Sequence, residues 1–567
     1  MLPARSTTQS NFRFRWWDYP AFIALTALHV WVLLAIVYPW IRDTEWTRLP
    51  VVLVLLVGSF LLELGIWESR WFALPLMRVP REKAPPEGLR VGVAVTFVPG
   101  SESIDMLEKT VRAIVAMRYP HDTWVLDEGD EPRVRQLCES AGARHFSRLS
   151  MPQYHAAEGK FKSHTKYGNY NSWLEETGYD SYDFVVAFDS DHVPEADYLD
   201  RVLGYFDDEL VAYVQPVQAY YNQKASFVAQ AAAEETYAYY SSVQMTTHAI
   251  GYPIIVGCHN THRVAALKDI GGFAEHEADD MVMTLLYRTS GWRGVYVPQI
   301  LARGLTPVDW SGYLKQQRRW ARSVLDFKMR VFPKYAKQLP LLERILTYAH
   351  GVYYLRGIST ALRLAMLVLL LAASFVPGSN GGAFLRASLA LWASIALCDL
   401  YRQRFFVDPK TEVGIHWRSA FVAFVKWPCF VLALRDAIRR DYGAYTITPK
   451  ARQSAPPLGF AAVQAGVAVI VGVAWLINFV RGPSAFVPIH LAAGFVVATA
   501  LLAGITALWK FPPGYDRRAH APRRRRVPMV VIRPSAVQLI PKLTARAVLR
   551  RARRSELPIG NVGIVSR

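Results

Sequence analysis

Two aspartates separated by one residue stand where an apolar stretch of the sequence ends. The stretch Phe184–Phe188 is followed by Asp189, Asp191 and then His192. Residues at i and i+2 of a strand point to the same side, so both carboxylates can face one pocket. Two close carboxylates repel each other unless a cation lies near them, and Mg²⁺ or Mn²⁺ held by carboxylates often takes its remaining ligands from phosphates. The pattern therefore predicts that Asp189 and Asp191 bind Mg²⁺ or Mn²⁺ together with a diphosphate.

Strand-like and helix-like segments alternate around this pair. They include a β-branched run, a segment of helical spacing and a second strand that ends in acid, at residues 91–98, 106–117 and 123–130. This βαβ alternation predicts an α/β domain at 90–344 with a mainly parallel sheet covered by helices. Ligands of such sheets lie beyond the carboxyl ends of the strands, where Asp127, Asp189 and Asp191 all fall. The sequence contains neither GxGxxG nor GxxxxGK[ST], so a dinucleotide or P-loop site has no support.

Six apolar stretches approach the roughly 20 residues that a membrane span needs. They are Pro20–Trp40, Leu49–Trp67, Gly357–Val376, Phe384–Leu400, Leu458–Val480 and Ala485–Trp509. The first follows several arginines and has no small-residue cleavage site, which predicts a retained anchor rather than a signal peptide. The predicted order is an N-terminal transmembrane pair in 1–75, the α/β domain, and C-terminal transmembrane and interfacial helices in 345–509.

Charged residues within the apolar stretches can be interpreted in more than one way. Glu63, Arg363 and Arg386 lie inside predicted spans, where ionisable groups either pair within the helix bundle or line a polar conduit. The stretch Phe421–Ile438 contains Lys426 and is followed by further charges. We interpret it as an interfacial helix rather than a seventh span, because an even number of spans keeps the basic tail on the side of the other basic loops.

Positive charge is concentrated at the end of the chain. The 567 residues include 65 Lys or Arg against 46 Asp or Glu, and residues 510–567 contain 15 Lys or Arg against 2 Asp or Glu. In a chain with membrane spans, such a tail favours either a solvated cytoplasmic segment or contact with anionic lipid headgroups over nucleic acid. We therefore expect the α/β domain and both termini to be cytoplasmic, with membrane lipids as partners.

The four cysteines are scattered along the chain. They are Cys138, Cys258, Cys398 and Cys429, and they form no CxxC pair. The sequence therefore gives no reason to expect a disulfide or a structural zinc site.

Four motifs in order resemble those of the membrane-embedded family 2 glycosyltransferases, and most of all the bacterial cellulose synthase catalytic subunits and related β-glucan synthases. They are KYGNYN (166–171), DSDHVP (189–194), QQRRW (316–320) and YTITPK (445–450). Each motif alone is also typical of a surface turn or a buried tryptophan, and their order carries the resemblance. It implies a GT-A type nucleotide-sugar-binding domain inserted between about six spans and interfacial helices.

The resemblance also implies a donor site. Asp127, in an Asp-Glu-Gly where the family has Asp-Asp-Gly, would contact the nucleoside, and the metal would lie on Asp189 and Asp191. The remaining donor contacts would come from Lys166, Gln316, Arg319 (with Arg318 as an alternate) and, on a gating loop near 441–457, Thr448 and Lys450. His192 is expected to be a hydrogen-bonded structural histidine.

The resemblance assigns the catalytic base and the residue that stacks on the acceptor sugar less directly than it assigns the donor site. The family often has Thr-Glu-Asp, with a Gly-Trp pair twelve residues after the catalytic Asp; here Asp280 stands twelve residues before Trp292, and Asp279 takes the Glu position. This makes Asp280 the candidate base, and direct displacement with inversion follows. Trp320 would stack against the acceptor sugar, or it would anchor a helix at the membrane interface.

The function implied is a processive, inverting hexosyltransferase that polymerises a β-glucan from UDP-glucose with 1,4, 1,3 or mixed linkage. It would move the growing glycan across the bacterial inner membrane, with envelope or periplasmic accessory subunits as further candidate partners. The alternatives are a transferase that adds one sugar to a lipid-linked acceptor, a synthase of another β-glycan, or a channel or scaffold with an inactive transferase domain.

Overall fold

The fold is taken from a computed structural model that describes residues 10–43, 50–374, 381–441, 455–482, 484 and 486–509. Thr448, Lys450 and the basic tail 510–567 lie outside these residues. In the described part of the chain, two long apolar helices precede an α/β domain and further apolar helices follow it.

The N-terminal part contains two long helices joined to the domain by a small sheet. Helix α1 covers Tyr19–Asp43 and helix α2 covers Pro50–Phe72. Strand β1 (Ser10–Phe12) precedes α1 and pairs antiparallel with β2 (Arg78–Pro80), which follows α2. The pairing brings the start of α1 and the end of α2 to the same side of the domain.

One eight-stranded mixed sheet forms the centre of the domain. Its strands are β3 (Val91–Phe97), β4 (Asp122–Asp127), β5 (Arg144–Phe146), β6 (Phe184–Asp189), β7 (Val193–Pro194), β8 (Val211–Tyr220), β9 (Asn260–Arg263) and β10 (Arg293–Gly304). Their order in the sheet is β5-β4-β3-β6-β9-β8-β10-β7. The β3–β4, β3–β6, β4–β5 and β8–β10 pairs are parallel, while β9 runs antiparallel to both neighbours and β7 runs antiparallel to β10. The predicted α/β class is confirmed.

Helices cover both faces of this sheet. The helices between residues 104 and 349 are α3 (Ile104–Val115), α4 (Pro132–Ala141), α5 (Lys166–Trp173), α6 (Tyr179–Ser181), α7 (Tyr198–Val202), α8 (Phe227–Ala238), α9 (Gln244–Ala249), α10 (Val264–Asp269), α11 (Asp279–Thr289), α12 (Trp310–Asp326), α13 (Phe332–Tyr335) and α14 (Leu341–Ala349). Alternate residues of β6 enter opposite cores: Phe184, Val186 and Phe188 join one, and Val185 and Ala187 the other. A strand buried on both faces is apolar throughout, which explains the unbroken run before Asp189.

The C-terminal part contains α15 (Arg356–Ala372), α16 (Gly381–Arg402), α17 (Trp417–Val425), α18 (Trp427–Arg439), α19 (Leu458–Val480) and α20 (Val487–Leu508). In the described residues, five helical stretches are long and apolar enough to cross a membrane: Trp16–Arg42, Leu341–Ala372, Gly381–Phe405, Leu458–Val480 and Val487–Leu508. These agree with five of the six predicted spans. The stretch predicted at 49–67 lies largely in α2, which is a helix of 23 residues but is not one of the five.

The ambiguous stretch Phe421–Ile438 is divided between two helices. Helices α17 and α18 have 9 and 13 residues, and Lys426 separates them. Pro428 occupies the first turn of α18, where its missing N–H costs no hydrogen bond. Neither helix reaches the length of a span, in agreement with the interpretation of this stretch as something other than a seventh span.

Candidate active site

The Asp-x-Asp pair lies at the carboxyl edge of the sheet. In the register of the sheet, Thr96 of β3 faces Asp189 and Phe97 faces Asp127. Asp191 is buried, and its Oδ2 accepts a hydrogen bond from the Leu305 backbone N at 3.0 Å. The parallel strands thus bring all three sequence-predicted aspartates to one edge, as the strand-end argument predicts.

The donors at this edge fit a divalent cation. Asp189, Asp191 and His192 each offer one ligand atom, and these atoms lie within 4.8 Å of one another. The His192 Nδ1 contacts Asp191 Oδ1 at 3.1 Å, so the ring donates to the carboxylate. Two carboxylates at this separation suit Mg²⁺ or Mn²⁺ with phosphate oxygens as further ligands. The geometry is thus compatible with the metal predicted from the sequence.

Lys166 connects the Asp-x-Asp pair to a second acidic pair. It begins helix α5, which Thr165 caps by accepting a hydrogen bond from the Gly168 N at 3.1 Å. Its Nζ forms an ion pair with Asp189 and donates to the Gly257 backbone O at 2.5 Å. A Cβ on Gly257 would lie 3.6 Å from Asp280 Oδ2, so this backbone borders both acidic pairs. Lys166 therefore lies between the candidate metal ligands and the candidate base, and its contact with the donor stays a prediction.

Asp279 and Asp280 begin helix α11, and burial makes both harder to ionise. Burial and the neighbouring Asp279 carboxylate raise the pKa of Asp280 to about 7. Burial also raises the pKa of Asp279, against the opposing charge of Lys166. Two close, half-buried carboxylates resist simultaneous ionisation, and a carboxylate whose pKa is near neutrality is well suited to accept a proton.

Helix α12 carries the predicted QxxRW residues on one face. Asp309 caps the helix by accepting from the Gly312 N at 2.8 Å. Gln316, Arg319 and Trp320 are spaced i, i+3 and i+4, so they share a face, and all three line the same cavity as Asp280. Arg318, the alternate phosphate contact, instead donates from Nε to Asp436 Oδ2 at 2.7 Å. Arg318 therefore anchors α12 to α18.

A buried ion-pair network holds α12 in place. Lys426 is 1% exposed, and its Nζ donates to Glu235 Oε1 at 2.6 Å, to Tyr313 Oη at 3.0 Å and to Gln317 Oε1 at 2.9 Å. Tyr353 also donates to the same Glu235 oxygen, at 3.1 Å. The network joins α8, α12 and the α17–α18 junction, so it positions the helix that carries Arg319.

Replacing Lys426 with methionine is expected to lower the free energy of unfolding by about 3–5 kcal/mol, because Glu235 then stays buried without its cation. Thermal unfolding of the detergent-purified protein checks this as a fall in midpoint. Lys410→Met, at an exposed position, is the control. An equal midpoint for the Lys426 variant and the control would contradict the role of the network.

Asp127 and Glu128 form hydrogen bonds and an ion pair with nearby residues of the chain. Asp127 is fully buried, accepts from Gly129 N at 3.0 Å and Glu131 N at 2.6 Å, and does not line the cavity. Glu128 lines the cavity and pairs with buried Arg148, with the closest approach at 2.7 Å. Asp127 thus shapes the loop after β4, and its contact with a nucleoside stays a prediction.

Glu102 is a cavity-lining acid that sequence reasoning missed. It contacts Ser190, which stands between Asp189 and Asp191, and it accepts from Val98 N at 2.8 Å. Burial raises its pKa to about 7. No motif marks Glu102, because it reaches the site only through the fold of the loop after β3.

One cavity of about 3040 Å³ joins this site to the apolar helices. Its lining includes the site residues Lys166, Asp189, Asp191, Asp280 and Trp320, and it continues to Glu63, Arg363, Trp392 and Phe495. Glu63 pairs with Arg356 at 2.8 Å and with Arg363 at 3.0 Å. These charges therefore pair within the bundle and also line the cavity, whereas Arg386 is not part of the lining.

The α/β domain is similar in sequence to known proteins. Residues 91–323 match the family model described as "Glycosyltransferase like family 2". The cellulose synthase catalytic subunit [UDP-forming] of Komagataeibacter sucrofermentans is 24% identical over 335 residues, which are 57% of this chain and 41% of that protein. The protein of the same name from Pseudomonas fluorescens is 27% identical over 302 residues, 51% of this chain and 38% of that protein.

Among solved structures, a mannosyltransferase from Pyrobaculum calidifontis in complex with GDP-Man and Mn²⁺ aligns with a TM-score of 0.46 at 18% identity, covering 69% of this chain and 99% of that one. The chain spans about two fifths of the length of each of these two curated relatives. Residues 91–323 thus form an α/β domain that matches the family 2 glycosyltransferase model and places Asp189 and Asp191 in one cavity, and cellulose synthase catalytic subunits are among the similar proteins.

Proposed function

We propose that the chain is a processive, inverting hexosyltransferase that polymerises a β-glucan from UDP-glucose and passes it through its membrane helices. The choice of donor and product rests on the curated relatives, which are UDP-forming cellulose synthase catalytic subunits. The observation that carries the proposal is that Asp280, Trp320 and the charged pair Glu63 and Arg363 line the same cavity. A long polar product needs such a continuous route, whereas a single sugar transfer does not.

The donor diphosphate would bind at the carboxyl edge of the sheet. Asp189 and Asp191 would hold Mg²⁺ or Mn²⁺, with His192 orienting Asp191 through its Nδ1–H. When bound, the cation supplies positive charge to the departing diphosphate. Arg319 offers a planar set of N–H donors for the same oxygens, and Lys166 adds a second cation in the cavity. Gln316 lines the same wall, and Thr448 and Lys450 are proposed to close over the diphosphate.

Asp280 would accept the proton of the acceptor hydroxyl. As that oxygen bonds to the anomeric carbon, the bond from this carbon to the diphosphate breaks, and the hydroxyl proton passes to the Asp280 carboxylate. Attack from the face opposite the leaving group inverts the configuration, so an α-linked donor gives a β-linked product. Trp320, half-buried on the same wall of the cavity, would stack against the acceptor sugar.

The pH dependence of transfer follows from the raised pKa of Asp280. The base is active only when ionised, so kcat/KM should rise with pH through a midpoint near the pKa of about 7. Asp279→Asn removes a like charge, lowers the pKa of Asp280 and moves this midpoint to lower pH. Profiles of kcat/KM against pH for wild type, Asp279→Asn and the control Asp197→Asn test the direction in which the midpoint moves. A midpoint that stays in place or rises in Asp279→Asn would contradict the coupling.

Incorporation of radiolabel from UDP-glucose tests the proposed function. Membranes that contain the protein are incubated with Mg²⁺ or Mn²⁺, and the product is sized and then digested with linkage-specific glucanases. The proposal predicts long, metal-dependent polymer, and the glucanases identify the bond. Label found only in a lipid-soluble product would instead support transfer of one sugar to a lipid carrier, and other UDP-sugars would identify a synthase of another β-glycan.

A further inference from the structure

Behind the Asp-x-Asp pair, His192 lies close to Cys258 and His259, two side chains that the proposed reaction does not use. One nitrogen each from His192 and His259 and the Sγ of Cys258 lie within 4.8 Å of one another, and all three residues are buried. These residues come from two separate segments of the chain, after β6 and before β9. No CxxC or similar spacing reveals the cluster in the sequence, so it exists only in the folded domain.

The hydrogen bonds of the two rings leave one nitrogen of each available. His192 Nδ1 donates to Asp191 Oδ1 at 3.1 Å, and His259 Nε2 donates to the Val217 backbone O at 3.1 Å. The opposite nitrogens, His192 Nε2 and His259 Nδ1, are buried without a hydrogen-bond partner. Histidines that bind metals characteristically donate their other N–H to a carboxylate or a backbone carbonyl, which fixes the ring.

We propose that His192, Cys258 and His259 form a binding site for a soft divalent cation such as Zn²⁺, distinct from the Mg²⁺ or Mn²⁺ position on the two aspartates. Two imidazoles and a thiolate suit zinc, whereas hard cations prefer carboxylate, carbonyl and water oxygens. Neighbouring ligands of a tetrahedral zinc ion are about 3.5 Å apart, so small side-chain movements close the site. Binding forms a Zn–S bond and releases the thiol proton to solvent.

The cation has a route to these ligands. Cys258 and His192 both line the large cavity, next to Asp189 and Asp191. Three protein ligands leave one tetrahedral position for water or another cavity ligand. His192 is shared with the aspartate cluster, so a cation on its free nitrogen would hold the ring that orients Asp191.

Cobalt binding tests the proposal without any activity assay. The full chain, purified in detergent with a tag that contains no histidine, is stripped with a chelator and titrated with Co²⁺ in saturating Mg²⁺. We expect one Co²⁺ per chain, a thiolate-to-cobalt charge-transfer band in the near ultraviolet, and displacement by Zn²⁺. Mutation of a residue that only hydrogen-bonds to a metal ligand typically lowers metal affinity 10–100-fold. Because Cys258→Ser removes a ligand itself, it should lower the Co²⁺ affinity by at least about 100-fold and abolish the band.

Matched variants show whether a change in Co²⁺ binding comes from this site, from another thiol or from misfolding. Cys138→Ser also alters a buried cysteine but should retain both the band and the affinity. His259→Gln keeps the thiol and should weaken Co²⁺ binding while the thermal midpoint without metal stays near that of wild type. A wild-type protein without the band, or an undiminished band in Cys258→Ser, would overturn the proposal. Failure of sugar transfer would leave this result unaffected.

Discussion

Replacing Asp280 with asparagine is expected to lower the transfer rate by about 10²–10⁴-fold, the range that a positioned general base contributes. Asparagine has nearly the shape of aspartate and keeps the oxygen that accepts from Met281 N at 2.7 Å, so the start of α11 should remain intact. It cannot accept the hydroxyl proton at any accessible pH. Initial rates from UDP-glucose measure the loss, and calorimetric binding of UDP should stay near the wild-type value because Asp280 does not hold the donor.

Asp279→Asn is the matched comparison, since the two carboxylates are adjacent, half-buried and electrostatically linked. Its rate should fall far less than that of Asp280→Asn. Loss of UDP binding in Asp280→Asn would indicate structural damage. A larger rate loss for Asp279→Asn than for Asp280→Asn would show that the base is Asp279 and not Asp280.

Replacing Asp191 with asparagine should lower metal-dependent transfer by about 10²–10³-fold, the cost typical of removing one preorganised charge-stabilising group. The variant keeps a side-chain oxygen for the Leu305 N but halves the number of predicted carboxylate ligands. In the wild type, Mn²⁺ should tighten UDP binding, and chelation should abolish transfer until Mn²⁺ or Mg²⁺ is restored. In Asp191→Asn, UDP affinity should scarcely respond to Mn²⁺.

Asp207→Asn is the control, because Asp207 is an exposed carboxylate that pairs with Lys83 and neither residue lines the cavity. It should behave as wild type in both assays. Wild-type transfer that persists after exhaustive chelation, or a normal response of UDP affinity to Mn²⁺ in Asp191→Asn, would contradict a cation held by Asp191.

Local patterns predicted the elements that place the site. Alternation of strand and helix segments, and acids directly after apolar strands, were sufficient to bring Asp127, Asp189 and Asp191 to one sheet edge. The antiparallel insertion of β9 between β6 and β8 was not predictable, because its four residues carry no distinct periodic pattern. This strand follows the loop of Cys258 and His259, which explains why the cluster with His192 was missed.

Side-chain roles that depend on tertiary contacts were harder to predict. Arg318 and Arg319 are equivalent in sequence, yet only the contact between α12 and α18 turns Arg318 to Asp436 and leaves Arg319 in the cavity wall. The contact of Asp127 with a nucleoside stays a prediction, and the sequence did not show that its oxygens accept hydrogen bonds from the backbone of the following loop. Charges in the membrane stretches could not be assigned either, since pairing of Glu63 with Arg363 requires α2 to pack on α15.

Protection of the product in sealed vesicles shows whether the protein moves its own polymer through the membrane. The protein is reconstituted into proteoliposomes, supplied externally with radiolabelled UDP-glucose and Mn²⁺, and the product is treated with a matching glucanase before and after detergent. Passage through the cavity predicts long polymer that resists the enzyme until detergent opens the vesicles, with none formed by Asp280→Asn. Polymer digested completely without detergent, or label confined to a short lipid-linked product, would contradict a synthase that moves its own chain through the membrane.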